Sequence, residues 1–292
     1  MRVAVLDVGS NTVHLRAGDV RQRWALRLAE RIGPDGDIEA DGVAALVSAS
    51  AQARQLAAEQ SCDELVAVAT STVRDAANSA EVVERVRRAA GVELTVLSGE
   101  EEARLIYRAA WRWSHRDDES TWVLVLDIGG GSVEMAGGAG EIPDIAVSLP
   151  LGAARLTRTC PRAALDEHVG PMLAPAAQRF PRRPDVALGT SHTFRALARL
   201  DPTGPGRLSA AGLAEVRARI GAMPDDEIAR LDGVSPGRAH QLVAGAAVAA
   251  GLMAAFGVDQ VRICPWALRE GILLSHGDQR ALLRAKSHLD AL

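Results

Sequence analysis

Two acidic residues around a glycine turn have the types and spacing for metal–phosphate chemistry. Asp127 ends an apolar run that predicts a buried strand, and the turn 129–132 (GGGS) and Glu134 follow it. Glycines let the backbone turn sharply and let an anion approach the amide N–H groups. Carboxylate oxygens bind hard cations, and the Ser132 hydroxyl can donate to phosphate. The segment therefore predicts a metal–phosphate site, although a glycine-rich hairpin capped by Asp127 would show the same pattern.

The first residues of the chain repeat this pattern. Segment 3–13 matches segment 123–133 at a constant offset of 120 residues, with Asp7 on Asp127 and Gly9 on Gly129. The strand–acid–turn–hydroxyl–strand unit thus opens each half of the chain. Two copies this far apart indicate duplicated domains rather than a solenoid.

The segment after the predicted strand 65–69 carries Arg74. Ligands gather at the carboxyl ends of strands in open α/β sheets, so Arg74 is a candidate anion ligand. An ion pair with the neighbouring Asp75 would equally explain it.

A run of acids begins the next predicted helix. Ser98 and Glu101 have the spacing of a capping box, which accounts for Glu101 without a functional role. Glu102 differs, because residues at +3, +4 and +7 from it are apolar and place it on the buried face. A carboxylate at such a position can serve as a general base, and helix capping is the alternative.

A third glycine–hydroxyl turn follows the predicted strand 186–189. Thr190 and Ser191 open a helix there, which suits a phosphate at the helix N-terminus. Plain capping would use the same residues, and the role of His192 is open.

The composition of the chain limits which kinds of partner and location are expected. A net charge of −4 gives no general basic field, so no nucleic-acid partner is expected. Three widely spaced cysteines predict reduced thiols and a cytoplasmic location. The longest apolar tract, 242–256, is too short for a bilayer span and predicts a core helix, hence no membrane partner.

The expected division is a first domain at 1–119 and a second at 120–292, joined by the polar stretch 112–121, with the terminal helix able to pack back on the first domain. Residues 22–30 are predicted as a strand. Residues 160–184, with five prolines, are predicted as an irregular helical connection, and 201–207 as a loop.

Five segments, in order along the chain, resemble the motifs of one family, the Ppx/GppA phosphatases. They are 7–14 (DVGSNTVH), 69–74 (ATSTVR), 98–105 (SGEEEARL), 127–134 (DIGGGSVE) and 267–271 (ALREG). Segment 264–271 (CPWALREG) is similar to short actinobacterial exopolyphosphatases in particular. The resemblance implies an α/β fold of duplicated actin-like, ribonuclease H-like domains with an interdomain cleft.

The resemblance also implies roles for the candidate residues. Glu102 would be the base, and Asp127 and Glu134 would bind Mg²⁺ or Mn²⁺. Phosphate would be held by Ser10, Asn11, Arg74, Gly129, Gly130, Gly131, Ser132, Thr190 and Ser191. Many relatives have a small residue or glycine in the turn where this chain has Ser191 and His192, so this chain departs from the family pattern at that phosphate contact.

The implied activity is exopolyphosphatase: metal-dependent release of terminal orthophosphate from inorganic polyphosphate by water attack. The chain ends at Leu292, without the C-terminal helical region of longer relatives, so short chains are the expected substrate. The alternatives are a guanosine pentaphosphate (pppGpp) 5′-phosphohydrolase, a nucleotide-binding regulator without catalysis, and, more remotely, a kinase on the same fold. Relatives suggest a homodimer.

Overall fold

A computed structural model describes residues 2–114, 121–204 and 206–277. Contacts between residues divide them into two compact units: residues 2–102 with 268–277, and residues 103–267. The domain boundary expected at 119–120 lies outside the described residues, so those bounds stay a prediction. The contact-based units place 103–114 with the second half of the chain and 268–277 with the first.

The first unit contains a five-stranded mixed sheet. Its strands are β1 (Val3–Val8), β2 (Val13–Ala17), β3 (Val20–Trp24), β4 (Glu64–Ala69) and β5 (Leu94–Val96). The spatial order is β3-β2-β1-β4-β5, with antiparallel pairing in the β1–β2–β3 meander and parallel pairing of β4 and β5. Side chains alternate along β2, so Val13 and Leu15 enter the core while His14 and Arg16 lie on the opposite face.

Helices pack on this sheet. They are α1 (Ala40–Glu59), α2 (Ser71–Arg74), α3 (Ser79–Ala90), the start of α4 (Gly99–Ser114) and, from the end of the chain, α11 (Leu268–Ser275). Leu46 and Ala53 of α1 and Val82 and Val86 of α3 are buried in the core of the unit. Helix α3 ends at Gly91, whose φ of 64° suits glycine.

The second unit contains a six-stranded mixed sheet. Its strands are β6 (Val123–Ile128), β7 (Val133–Gly138), β8 (Ile145–Leu149), β9 (Val186–Gly189), β10 (Arg207–Ser209) and β11 (Gln260–Ile263). The spatial order is β10-β11-β9-β6-β7-β8. Read from β8, the order β8-β7-β6-β9-β11 corresponds to β3-β2-β1-β4-β5 of the first unit, and β10 is an additional edge strand. The α/β class with a duplicated actin-like, ribonuclease H-like topology is therefore confirmed.

The helices of the second unit surround one apolar core. They are α5 (Ala153–Thr159), α6 (Leu165–Ala177), α7 (Ser191–Leu200), α8 (Ala210–Gly221), α9 (Asp225–Ile228) and α10 (Leu242–Phe256). With the 3₁₀ turn before it, α10 forms a helix, Pro236–Phe256, that is long and apolar enough to cross a membrane by composition. However, 67% of its apolar stretch is buried inside the protein, as the core helix predicted at 242–256 requires.

One local prediction was wrong. The strand expected at 22–30 ends at Trp24, and a 3₁₀ turn at Leu28–Arg31 buries Leu28 in the core. The connection predicted as helical contains the regular helix α6, in which Leu165, Val169 and Leu173 bury one face and offset the hydrogen bonds lost to proline. The predicted loop leads at Arg207 into β10, which adds to the sheet through β11.

Candidate active-site residues

A row of polar side chains crosses the sheet of the second unit. Asp127 on β6 lies directly opposite Glu134 on β7, and Glu134 lies directly opposite Ser148 on β8. Cross-strand partners project to the same face of a sheet, so the two carboxylates are neighbours. Asp127 is 7% exposed and Glu134 is 2% exposed. The sequence predicted both acids, and the fold brings them together.

Hydroxyl groups hold both ends of this acid pair. Thr190, fully buried after β9, donates from its Oγ1 to Asp127 Oδ2. Ser148 Oγ donates to Glu134 Oε1 at 2.9 Å. Sequence reasoning proposed Thr190 as a phosphate ligand, whereas its hydroxyl contacts the acid in this structure. Ser148 was missed, because only the register of β8 on β7 reveals it.

The chemistry of this oxygen-rich donor set fits a hard divalent cation. Mg²⁺ and Mn²⁺ prefer carboxylate oxygens, and Mg²⁺ is commonly held by one or two carboxylates together with water and substrate phosphate. Within residues 2–114, 121–204 and 206–277, no three or more His, Cys, Asp or Glu side chains cluster as a complete metal site. The acid pair therefore fits a metal that completes its shell with substrate and water, rather than a protein-only cage.

The glycine turn beside the acid pair is held by its carbonyl groups. The carbonyl oxygens of residues 129–131 accept hydrogen bonds from the start of α5: Ala153 N at 2.9 Å, Arg155 N at 2.9 Å and Arg155 Nε at 2.8 Å, respectively. In a planar trans peptide the N–H points opposite to the C=O. The N–H groups of residues 130–132 are thus directed away from α5 and form a concave set of donors suited to an anion.

Gly152 allows this close approach of α5. A Cβ at Gly152 would lie 2.3 Å from the carbonyl carbon of Gly131 and 2.4 Å from that of Gly130. No side chain fits there without moving the turn. Sequence reasoning missed both Gly152 and Arg155 as supports of the turn, because only the packing of α5 reveals them.

The equivalent turn of the first unit has the same construction. Gly9 N donates to Thr12 O at 3.2 Å, as Gly129 N donates to Ser132 O at 2.9 Å. The carbonyl oxygens of Ser10 and Asn11 accept from the backbone N–H groups of Ala29 and Arg27, both at 2.9 Å. The N–H groups of residues 11 and 12 are therefore also directed away from their supporting segment. Ser10 and Asn11, both predicted phosphate ligands, are buried in this turn.

The two units differ in their acids. Asp7, the counterpart of Asp127, lies opposite His14, so the first unit has no second carboxylate at that register. Burial raises the pKa of Asp7; the nearby Arg269 guanidinium lowers it and the Glu270 carboxylate raises it. The paired-carboxylate arrangement at this register therefore occurs in the second unit.

The start of α4 presents one capping acid and one buried acid. Glu101 Oε2 accepts from Ser98 N at 2.8 Å and Ser98 Oγ at 2.7 Å, which confirms the predicted capping box. These hydrogen bonds lower the pKa of Glu101. Glu102 is only 7% exposed, as its position on the apolar face predicted. The two adjacent acids therefore have separate environments.

Arg74 joins Glu102 within the first unit. Its Nη1 donates to Glu102 Oε2 and to the carbonyl oxygen of Leu97, both at 3.1 Å. Its Nε also contacts Asp75 at 3.3 Å, which is the ion pair considered from the sequence. Arg74 therefore fixes the orientation of the Glu102 carboxylate in addition to that surface contact.

The position of Thr190 depends on a difference in strand register: β9 pairs with β6 in another register than β4 pairs with β1. Ala69 at the end of β4 lies opposite Val8, but Gly189 at the end of β9 lies opposite Leu126, two residues before the counterpart of Val8. A shift of two residues keeps every side chain on its face and places Thr190 beside Asp127. Ser191 follows with φ of 75°, a conformation rare for a non-glycine residue and one often found at functional sites.

Comparisons with known proteins agree with this architecture. Exopolyphosphatase 1 of Mycobacterium bovis is 42% identical over an alignment covering 98% of this chain and 92% of its own length. The crystal structure of the Aquifex aeolicus member of the Ppx/GppA family superposes with a TM-score of 0.79 at 25% identity, covering 96% of this chain and 98% of that one. An exopolyphosphatase from Cytophaga hutchinsonii shares the fold with a TM-score of 0.85 at 22% identity, covering 95% and 98% of the two chains. The family model described as the Ppx/GppA phosphatase family matches residues 18–279. The chain belongs to the Ppx/GppA phosphatase family.

Proposed function

We propose that the protein is an exopolyphosphatase that releases orthophosphate from the end of inorganic polyphosphate, with short chains preferred. As a member of its family it is a phosphoanhydride hydrolase. The observation that carries the proposal is the buried Asp127–Glu134 pair beside three backbone N–H groups directed to one side of the turn 129–132. The name of the mycobacterial relative supports polyphosphate as substrate.

Asp127 and Glu134 are the proposed ligands of Mg²⁺ or Mn²⁺. Such an ion, when bound, neutralises phosphate charge that builds up during phosphoryl transfer. Thr190 and Ser148 hold the two carboxylates in place through their hydroxyl groups. Their proposed role is to orient the acids.

Backbone N–H groups are the proposed main phosphate donors. Residues 130–132 supply three, and the Ser132 hydroxyl adds a fourth donor. In the first unit the turn at Ser10 and Asn11 supplies equivalent groups. Preorganised donors of this kind stabilise developing charge without reorganising during the reaction.

Glu102 is the proposed general base. Its carboxylate would take a proton from the attacking water, and the bond between the terminal phosphorus and its bridging oxygen would break as the water oxygen bonds to phosphorus. Arg74 holds Glu102 Oε2 and is also a proposed contact for the phosphate chain. General-base catalysis of this kind contributes roughly 10²–10⁴-fold to rate.

A phosphate-release panel tests the proposal. The purified chain is assayed at matched concentrations of triphosphate, longer polyphosphates, pppGpp, ATP and ADP, with and without Mg²⁺. We expect the highest kcat/KM on short polyphosphate and little release without a divalent ion. Preference for pppGpp would instead identify a nucleotide phosphohydrolase, and binding without release of phosphate would identify a regulator.

A further inference from the structure

A small basic pocket lies within the first unit, outside the residues assigned above. It is formed by β2, β3 and the first turn of α11, and its volume is about 210 Å³. The charged and titratable side chains that line it are His14, Arg16, Arg21, Arg23, Arg269 and Glu270. Four guanidinium groups thus share one cavity with a single carboxylate.

The register of the hairpin places three of these arginines and His14 side by side. Arg16 lies directly opposite Arg21, and His14 lies directly opposite Arg23. All four side chains share the sheet face opposite to the core, because Val13 and Leu15 of β2 point inward. Like charges directly opposite one another on a sheet are destabilising unless an anion compensates them.

The carboxylate in the pocket compensates only part of this charge. Arg16 is 6% exposed and forms an ion pair with Glu270 at 3.3 Å. Arg21 and Arg23 form no ion pair with any residue in the part of the chain that the structure describes. Arg269 lies near the buried Asp7 and lowers the pKa of that carboxyl group. The guanidinium groups of Arg21 and Arg23 therefore remain available to a ligand in a protein whose overall net charge is −4.

We propose that this pocket is an accessory anion site that binds a phosphoryl group. Arginine binds phosphate through a planar pair of donors, and several arginines around one cavity favour a multiply charged anion. A volume of about 210 Å³ is below the range of 300–1,000 Å³ typical of drug-sized ligands. The occupant is thus a single phosphate or one end of an oligophosphate, not a nucleotide base.

A double variant tests the site directly. Arg21 and Arg23 are exposed on the edge strand β3, so Arg21→Gln/Arg23→Gln removes two charges without disturbing the core. The matched control is Arg85→Gln/Arg219→Gln, which removes the same charge from exposed positions on α3 and α8. If the double variant melts at a lower temperature than the control, the single variant Arg23→Gln replaces it in the binding test.

Titration calorimetry of the full chain with orthophosphate and with methylenediphosphonate measures binding without turnover. We expect the Arg21/Arg23 variant to bind at least one of these anions tenfold or more weakly than the control. Weakening confined to orthophosphate identifies free phosphate as the occupant, and weakening of the diphosphonate identifies an oligophosphate chain.

Equal affinities of variant and control for both anions would overturn the proposal. Arg21 and Arg23 would then only protect an exposed sheet edge from pairing with another strand. Binding of neither anion by the unmodified chain would overturn it as well. Because the readout is binding, a failure to hydrolyse polyphosphate would refute the proposed function without deciding this result.

Discussion

Asp127 and Glu134 face each other directly across the β6–β7 hairpin, and both are buried. Two carboxylates in this relation repel each other unless a cation or a shared proton lies between them. The hydroxyl groups of Thr190 and Ser148 stabilise the outer edges of the pair but add no positive charge. The arrangement therefore favours a bound metal ion at the site.

Removal of either acid tests the metal assignment. We expect Asp127→Asn and Glu134→Gln to raise the Mg²⁺ concentration needed for half-maximal phosphate release at least tenfold. The same variants should lose the rise in melting temperature that Mg²⁺ gives the unmodified protein, because a ligand that binds only the folded state stabilises it. Chelation by EDTA should abolish release, and added Mg²⁺ or Mn²⁺ should restore it. The control is Glu215→Gln, an exposed acid on α8; an unchanged Mg²⁺ dependence in both acid variants would refute the assignment.

The base assignment rests on Glu102. Glu102→Gln keeps the size of the side chain and can keep a hydrogen bond to Arg74, so we expect normal folding with kcat reduced roughly 10²–10⁴-fold. Glu100→Gln, an exposed acid in the same helical turn, should leave turnover unchanged. Phosphate release and thermal melting are measured for both. Glu102→Gln with the turnover of the control would remove Glu102 from the mechanism.

The support of the glycine turn can be tested at Gly152. A methyl group there must displace the peptide carbons of Gly130 and Gly131, which it would approach to 2.4 and 2.3 Å. Overpacking of this kind costs about 1–3 kcal/mol of the free energy of unfolding. We therefore expect Gly152→Ala to lower the melting temperature and raise KM.

Gly170→Ala is the matched control for that substitution. A Cβ at Gly170 meets nothing within 4 Å, and the position lies inside helix α6. Alanine in a helix interior is favoured over glycine by about 1 kcal/mol, so the control should be as stable as the unmodified protein or more so. If Gly152→Ala matched it in both stability and KM, close packing of α5 would not hold the turn.

Acid stability depends in part on Asp201. Burial raises the pKa of Asp201, but hydrogen bonds from the backbone and hydroxyl groups of Ser209 and Thr203 outweigh this, and the net pKa is lowered from its usual 3.8. A carboxyl whose folded pKa is lowered stabilises the fold above its unfolded pKa and loses that contribution as pH falls through the folded pKa.

We expect Asp201→Asn to cost about 1–3 kcal/mol at pH ~7, because it weakens a buried hydrogen-bond network. The difference from the unmodified protein should shrink as the pH falls below 3.8 and through the lowered pKa of folded Asp201. Urea unfolding over a series of pH values from neutral to acidic measures this difference. A stability difference that stayed constant over this interval would contradict the lowered pKa.

The sequence alone determined the elements that depend on local pattern. Apolar runs ending in acids gave the strands, the repeat at a constant offset gave the duplication, and the spacing of Ser98 and Glu101 gave a helix start that the structure confirms. The apolar face of α4 singled out Glu102 before its burial was known. These features follow from side-chain periodicity and capping, which act over a few residues.

Contacts between distant residues were decided only by the tertiary structure. Ser148 and Thr190 reach the acid pair because strand register, which no local pattern specifies, sets them beside Glu134 and Asp127. Arg74 reaches Glu102 because β4 and β5 bring the two segments together. Gly152 is required because α5 packs against a turn more than 20 residues earlier. Packing also keeps α6 a regular helix despite its prolines, since one of its faces is buried in the core.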